Sequence, residues 1–219
     1  SVEKLKAAGI EVSLEEVPND LNNGFFNSLL RQKPYVRAKI AMSEDQKTSF
    51  IKDDQQWITC EESRKDSQKY RAISDLILTG SGTVGRDNPS LNVRNKEIIK
   101  LRGFEQPARG IITSSKLEAS LNFFSTPGKK YIFCEDQSVF GNFLKEDEVS
   151  ILEIKCTEDS KINLKELLKK IHSLKLNDIL LESGPTLITS FINEDLIDEF
   201  IIYIAPKMLS NTALSFFNG

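Results

Sequence analysis

The chain has 219 residues, enough for one large domain or one domain with part of another. It is 39% hydrophobic and 28% charged, with a net charge of -3, so it lacks both the basic field that holds a nucleic-acid backbone and the acidic block of a disordered tail. No apolar run approaches the roughly 20 residues of a membrane span, and the start, Ser1-Val2-Glu3-Lys4-Leu5, has neither the pattern of a secretory signal nor an initiating methionine, as expected of a piece that begins inside a longer polypeptide.

In chain order, Leu5 to Gly9 reads as a helix end with a glycine stop, and Ile10-Glu11-Val12 as a short strand. Asn19 or Asp20 is placed to cap a helix through Phe25, Phe26, Leu29 and Leu30, which Lys33-Pro34 ends. From Tyr35 onward strands alternate with helices. Strands are predicted at Tyr35 to Met42, Asp75 to Leu78, Ala108 to Thr113, Lys130 to Cys134, Ser150 to Ile154, Asp178 to Leu181 and Glu199 to Ala205. Helices are predicted at Glu61 to Tyr70, Asn163 to Lys175 and Pro185 to Asn193. This alternation specifies an α/β layer fold with a mainly parallel central sheet flanked by helices, and a ligand site at the carboxyl ends of the strands.

Two of those strand ends carry glycines. Gly80-Ser81-Gly82-Thr83-Val84-Gly85 is a literal Gly-x-Gly-x-x-Gly after a strand, but Asn88-Pro89 follows and opposes a helix. The stretch therefore reads as a glycine-rich turn rather than a Rossmann fingerprint, either an ordinary tight turn or one whose N–H groups and Thr83 hydroxyl meet an anion. In Leu181-Glu182-Ser183-Gly184-Pro185-Thr186-Leu187 a buried strand ends in a carboxylate, and a helix opens with proline at its first position. That junction either offers a phosphate site with Glu182 beside it or leaves Glu182 as an exposed strand end.

Arg71, Arg94 and Lys39 are cations suited to phosphate or simply to the surface, and Trp57 is an indole suited to a planar ligand or to packing. Cys60, Cys134 and Cys156 are odd in number and widely spaced, which disfavours disulfides and suits a reducing, cytoplasmic compartment. His172, the one histidine, falls on an amphipathic helix pattern, so a His/Cys metal site and a Ser-His-Asp triad are both disfavoured.

Longer stretches carry a resemblance. Pro34 to Asp45, Trp57-Ile58-Thr59, Tyr70-Arg71-Ala72, Gly80 to Val84, Asp87-Asn88-Pro89-x-Leu91-x-Val93-Arg94, Glu182 to Leu187, Asp195 to Glu199 and Ala205-Pro206-Lys207 resemble, in order and spacing, the reductase domain of the bifunctional riboflavin-biosynthesis deaminase–reductases. The resemblance implies a dihydrofolate-reductase-like fold and NADPH-dependent reduction of the ribose of 5-amino-6-(5-phosphoribosylamino)uracil. It places cofactor contacts on Ala41, Trp57, Thr83, Asp87, Ser114, Gly184, Pro185, Thr186 and Leu187. Substrate contacts fall on Gln55, Arg71, Leu91, Arg94 and Glu182, with Arg71 and Arg94 on the ribose phosphate and Lys39 and Asp45 handling protons.

The resemblance also implies a homodimer and a preceding deaminase domain, of which residues 1–33 are the tail and connector, while residues 34–219 form the reductase domain without its closing strands. The deaminase zinc motif is absent from this sequence, and no metal is expected in it. The family usually has glycine where Gln46 stands and a small hydroxyl residue where Gln55 stands. A related reductase acting on the diaminopyrimidinone, or a non-catalytic module of the same fold, are the competing expectations.

Overall fold

Short runs of Val, Ile and Leu bounded by turn residues form strands buried on both faces, which is what a parallel sheet covered by helices demands. The computed structural model describes residues 2–14, 22–49, 58–140, 148–209 and 213–216. Helices α1 (Val2–Ala7) and α2 (Asn23–Arg31) precede β1 (Tyr35–Ser43), β2 (Lys47–Ser49), α3 (Glu61–Ile73), β3 (Leu76–Gly80), α4 (Ser81–Asp87) and α5 (Lys96–Leu101). Then come β4 (Ala108–Ile112), α6 (Asn122–Ser125), β5 (Lys130–Cys134), β6 (Val149–Glu153), α7 (Leu164–Ser173), β7 (Asp178–Leu181), α8 (Pro185–Asn193), β8 (Glu199–Ala205) and β9 (Leu214–Ser215).

Seven strands pair in the order β6-β5-β4-β3-β7-β1-β8, every neighbouring pair parallel, while β2 and β9 make a separate antiparallel pair. On one face Val36, Ala38, Ile40 and Met42 of β1 join Leu76, Leu78, Ile179 and Leu181 in a core closed by Leu164, Leu167, Leu168 and Ile171 of α7 and by Ile188 and Phe191 of α8. On the other, Ile77, Ile111 and Ile132 pack with Val84 of α4, Leu91, and Phe123 and Phe124 of α6. No helix among the described residues is long and apolar enough to cross a membrane.

The predicted strands recur with small shifts. Asp75 stays outside β3 because its Oδ2 accepts the N–H groups of Asn177 and Asp178, and the strand runs on to Gly80 instead. Ile10-Glu11-Val12 forms no strand and Ile10 is exposed, since no described strand lies beside it. Asn19 and Asp20 lie outside the described residues; α2 starts after Asn22 and turns its apolar residues Phe25, Phe26, Leu29 and Leu30 to solvent.

The glycine-rich stretch after β3 is also corrected: residues 81–87 are helical. Asn88, left-handed with φ 40°, caps that helix, and Pro89 follows the cap, so both residues end the helix rather than prevent it.

Gln46, where the family resemblance leads one to expect glycine, closes the turn after β1 with φ 59° and donates its N–H to Ser43 O. A side chain there carries the left-handed penalty that glycine avoids, partly offset by the freedom glycine adds to the unfolded chain. Gln46→Gly is therefore expected to stabilise the fold by about 0.5–1 kcal/mol and raise Tm by about 1–4 °C, measured by calorimetry.

Candidate functional site

β3 and β7 are neighbours, yet the helix after β3 packs on one face of the sheet and the helix after β7 on the other. The two chains therefore part at their carboxyl ends and leave a crevice, the place where open α/β sheets bind ligands. Its walls are tied together. Gly184 N–H donates to Thr83 Oγ1 at 3.0 Å, Thr83 Oγ1 lies 3.3 Å from Ser183 Oγ, and Gly80 N–H donates to Ser183 Oγ at 3.3 Å. Thr83 and Gly184, read separately from two motifs, thus meet at one end of the sheet.

Pro185 opens α8, whose first-turn N–H groups on Thr186 and Leu187 have no carbonyl one turn back to bond. A Cβ built on Gly184 would meet only Thr83 Oγ1, at 3.7 Å, so the approach to that helix end is bare.

Beside the crevice lies a charged cluster. Glu182 directly follows β7 with its carboxylate buried; Arg71 of α3 clamps it with Nε to Oε1 at 2.6 Å and Nη2 to Oε2 at 2.8 Å. Arg71 Nη1 donates to Asn92 O at 2.9 Å. Lys39 Nζ of β1 stands 4.0 Å from Glu182 Oε2.

Burial alone would raise the Glu182 carboxyl, but Arg71, then Lys39 and Arg94, outweigh it and bring it down to about 2. Arg71 is held above its ordinary range: burial opposes its charge and the Glu182 carboxylate overrides that. Asp87, at the end of α4 and exposed as a whole residue, has its carboxyl raised by partial desolvation, with Arg86 and Lys39 opposing.

Arg94 is set by its backbone, with its N–H donating to Gln68 Oε1 at 2.7 Å while Val93 is bonded on both sides by Gln106. The exposed Arg94 guanidinium makes no hydrogen bond among the described residues.

Ala41 lies on the same face of β1 as Lys39, and Ser114 is exposed just beyond the end of β4. Gln55 and Trp57 fall outside the described residues. Three expectations change. Leu91 is 3% exposed in the core with Ile77 and Phe123, because its φ of 49° turns the side chain inward, so its side chain is not a substrate contact.

Asp45 sits past the end of β1, where its Oδ1 accepts Ser43 Oγ at 2.5 Å and Leu209 N–H at 3.0 Å. These bonds hold its carboxyl below the ordinary range, which suits a turn brace rather than a proton donor. Arg71 likewise departs from the free phosphate fork expected of it, its Nε, Nη1 and Nη2 all being engaged.

Sequence reasoning missed the Ser183 bridge, although Ser183 stood inside the Glu-Ser-Gly-Pro motif. It also missed Tyr203, which pairs with Ala41 in register and donates its hydroxyl to Asp66 Oδ2 at 2.9 Å, pinning α3 to β8. His172 contacts Ser28 Oγ at 3.0 Å on α2, away from the crevice.

The family model described as the RibD C-terminal domain matches residues 34–218. The chain is 34% identical over 214 residues to the riboflavin biosynthesis protein RibD of Aquifex aeolicus, covering 95% of this chain and 57% of that protein. It is 37% identical over 170 residues to the 5-amino-6-(5-phosphoribosylamino)uracil reductase of Buchnera aphidicola subsp. Acyrthosiphon pisum, covering 73% and 79%. Among solved structures, Acinetobacter baumannii RibD superposes with a TM-score of 0.84 at 34% identity, covering 100% of this chain and 60% of that one. The chain thus spans about three fifths of the RibD proteins it matches.

Proposed function

The chain belongs to the RibD C-terminal domain family, and we propose that it reduces the ribose of 5-amino-6-(5-phosphoribosylamino)uracil to the ribitylamino product with NADPH. The observation that carries the proposal is the Thr83–Gly184 contact, which unites the two strand-end loops in one crevice beside the Glu182 cluster. The Buchnera relative bears the name of this activity.

The residues present fit a dinucleotide: Gly184 leaves a cradle that a side chain would narrow, and the unbonded N–H groups of Thr186 and Leu187 favour a phosphate. Ala41, Thr83, Asp87, Ser114 and Pro185 complete the assigned cofactor side, together with Trp57. When bound, the nicotinamide supplies a hydride to the sugar carbon. The chain's own contribution is orientation. Glu182, ionised, accepts hydrogen bonds from substrate; Arg94 takes its phosphate; Lys39 donates a proton to the sugar oxygen as the ring bond opens. Gln55 is assigned to the ribose. Residues 1–33, which precede the matched domain and in which α1 buries no residue, are assigned as the tail of a preceding deaminase domain and its connector.

The test is loss of reduced-nicotinamide absorbance with the deaminated phosphoribosyl pyrimidine against its diamino precursor. Preferential turnover of the deaminated compound supports the reading. Preference for the precursor assigns the related reductase, and no NADPH binding assigns a non-catalytic module. Arg94→Ala is expected to raise substrate KM by about 30-fold, the worth of a charge-assisted phosphate contact, with NADPH Kd unchanged in a fluorescence titration.

A further inference from the structure

We propose that Tyr203 of β8 forms the pyrimidine end of the substrate site, its ring giving the flat face against which the pyrimidine packs. The inference rests on the function proposed above, which assigns residues to the sugar, the phosphate and the cofactor but none to the pyrimidine.

Sheet register sets where Tyr203 stands. Glu182 directly follows β7, Lys39 and Ala41 lie on β1, and β8 is the next strand out. Residues paired across parallel strands point to the same face, and that face recurs every second residue. Tyr203 pairs with Ala41, so it stands on the face that carries Lys39. Ile201, the partner of Lys39, is buried, whereas Lys39, Ala41 and Tyr203 are half-buried and make an open strip beside Glu182. Helix α3 borders the strip at both ends. It bonds Tyr203 through Asp66, whose Oδ2 accepts the phenol hydroxyl at 2.9 Å, and it bonds Glu182 through Arg71. The Glu182 charge reaches the Tyr203 hydroxyl, so one small ligand can touch both ends.

The two ends differ in charge. Arg71, Lys39 and Arg94 gather around Glu182. At Tyr203 the adjoining charge is Asp66, whose carboxyl is held below the ordinary range by Lys69 and then by the Tyr203 hydroxyl. A phosphate is drawn toward the first end and repelled from the second. A neutral aromatic ring bearing N–H groups suits the second, which offers an aromatic face and a carboxylate. The phenol is kept protonated by burial and by Asp66, and its hydroxyl is spent on that carboxylate. What it leaves for a ligand is the ring, already fixed in orientation, so little freedom is lost on binding. The bond to Asp66 also ties α3 to β8, but that role belongs to the hydroxyl and the proposed one to the ring.

Two substitutions separate the roles. Tyr203→Phe and Tyr203→Leu both lose the bond to Asp66, and each is expected to melt about 2–6 °C below the parent. Only leucine removes the aromatic face. Tyr203→Leu is expected to raise KM for the deaminated phosphoribosyl pyrimidine by about 10-fold or more, the worth of a ring stacked on a base, and Tyr203→Phe by only about two- to threefold. Ribose 5-phosphate, which shares the sugar and phosphate but lacks the ring, serves as a competitive inhibitor. Its Ki should stay within about twofold of the parent in the leucine variant. Equal rises in KM for the two variants, or a Ki that rises with KM, overturn the inference, since the site then responds to the lost tie between α3 and β8. If the parent reduces neither the deaminated compound nor its diamino precursor, the proposed reaction falls. Calorimetric titration of the deaminated compound and of ribose 5-phosphate into the parent and the leucine variant then decides the inference by itself. A loss confined to the ring-bearing compound sustains it, and equal affinities or no binding overturn it.

Discussion

Replacing Arg109 by methionine is expected to destabilise the fold by about 3–5 kcal/mol, because a methionine fills the space but bonds none of the carbonyls that the arginine serves. Arg109, at the start of β4, is fully buried. Its Nη1 donates to Ser90 O at 3.3 Å and Phe123 O at 3.1 Å, and its Nη2 to Thr126 O at 2.6 Å and Pro127 O at 2.8 Å. The guanidinium also lies 5.6 Å from the centre of the Phe123 ring.

Burial pushes the Arg109 guanidinium down to about 10, with Glu148 opposing, so it remains charged at neutral pH. Each carbonyl left without a donor costs about 1–3 kcal/mol, and relaxation around methionine recovers only part of that. At 2–4 °C per kcal/mol, Tm should fall by about 6–20 °C. Arg109→Lys, which keeps the charge but reaches fewer carbonyls, should lie between the two. A Tm within 2 °C of the parent for Arg109→Met would refute the account. The loss extends to the site, since Ser90 lies in the segment that carries Leu91 and Arg94.

That segment marks where the sequence stops being legible. The strands could be read because each is a short apolar run between turn residues, and the helix α7 because Asn163 caps an unbroken amphipathic period. The two strand-end loops could be read for the same reason, as could their nearness, since parallel strands place their carboxyl ends together. α4 could not: three glycines in and before it, and a proline after it, argue locally against a helix. The helix forms because Val84 is buried without exposure and Thr83 is held by the neighbouring loop, tertiary gains that a local pattern does not contain.

The apolar period predicts α2 as a helix, but a period says only that one face is apolar, not which way that face turns. Leu91, Asp45 and Arg71 show a third limit. A family motif assigns a position, whereas direction and partner decide what the side chain does there. Leu91 is turned into the core by its backbone, Asp45 is drawn to Leu209 N–H, and Arg71 is drawn to Glu182. Glu182 itself carried its signal openly, as a carboxylate at the end of an otherwise buried strand.

Gly184→Val should weaken NADPH binding by about 100-fold or more while leaving the protein folded, because it fills the approach to α8 and little else. The backbone at Gly184, φ -72° and ψ 171°, is open to any residue, so valine meets no conformational barrier there. Its Cβ would find only Thr83 Oγ1, at 3.7 Å, an ordinary contact. Valine is a poorer helix cap than glycine, which sets the stability cost at about 1 kcal/mol, or about 2–4 °C in Tm. A dinucleotide phosphate bonded to the N–H groups of Thr186 and Leu187 must come within hydrogen-bond distance of this backbone, and two added methyl groups stand in that path. Gly184→Ala, with one carbon, should give a smaller loss of affinity, so the pair grades the effect by size. Fluorescence titration of reduced cofactor measures it, alongside melting curves for both variants. Retained affinity in a folded Gly184→Val protein would move the cofactor out of the crevice between β3 and β7. The orientation of hydride toward the Glu182 cluster would then lose its structural basis.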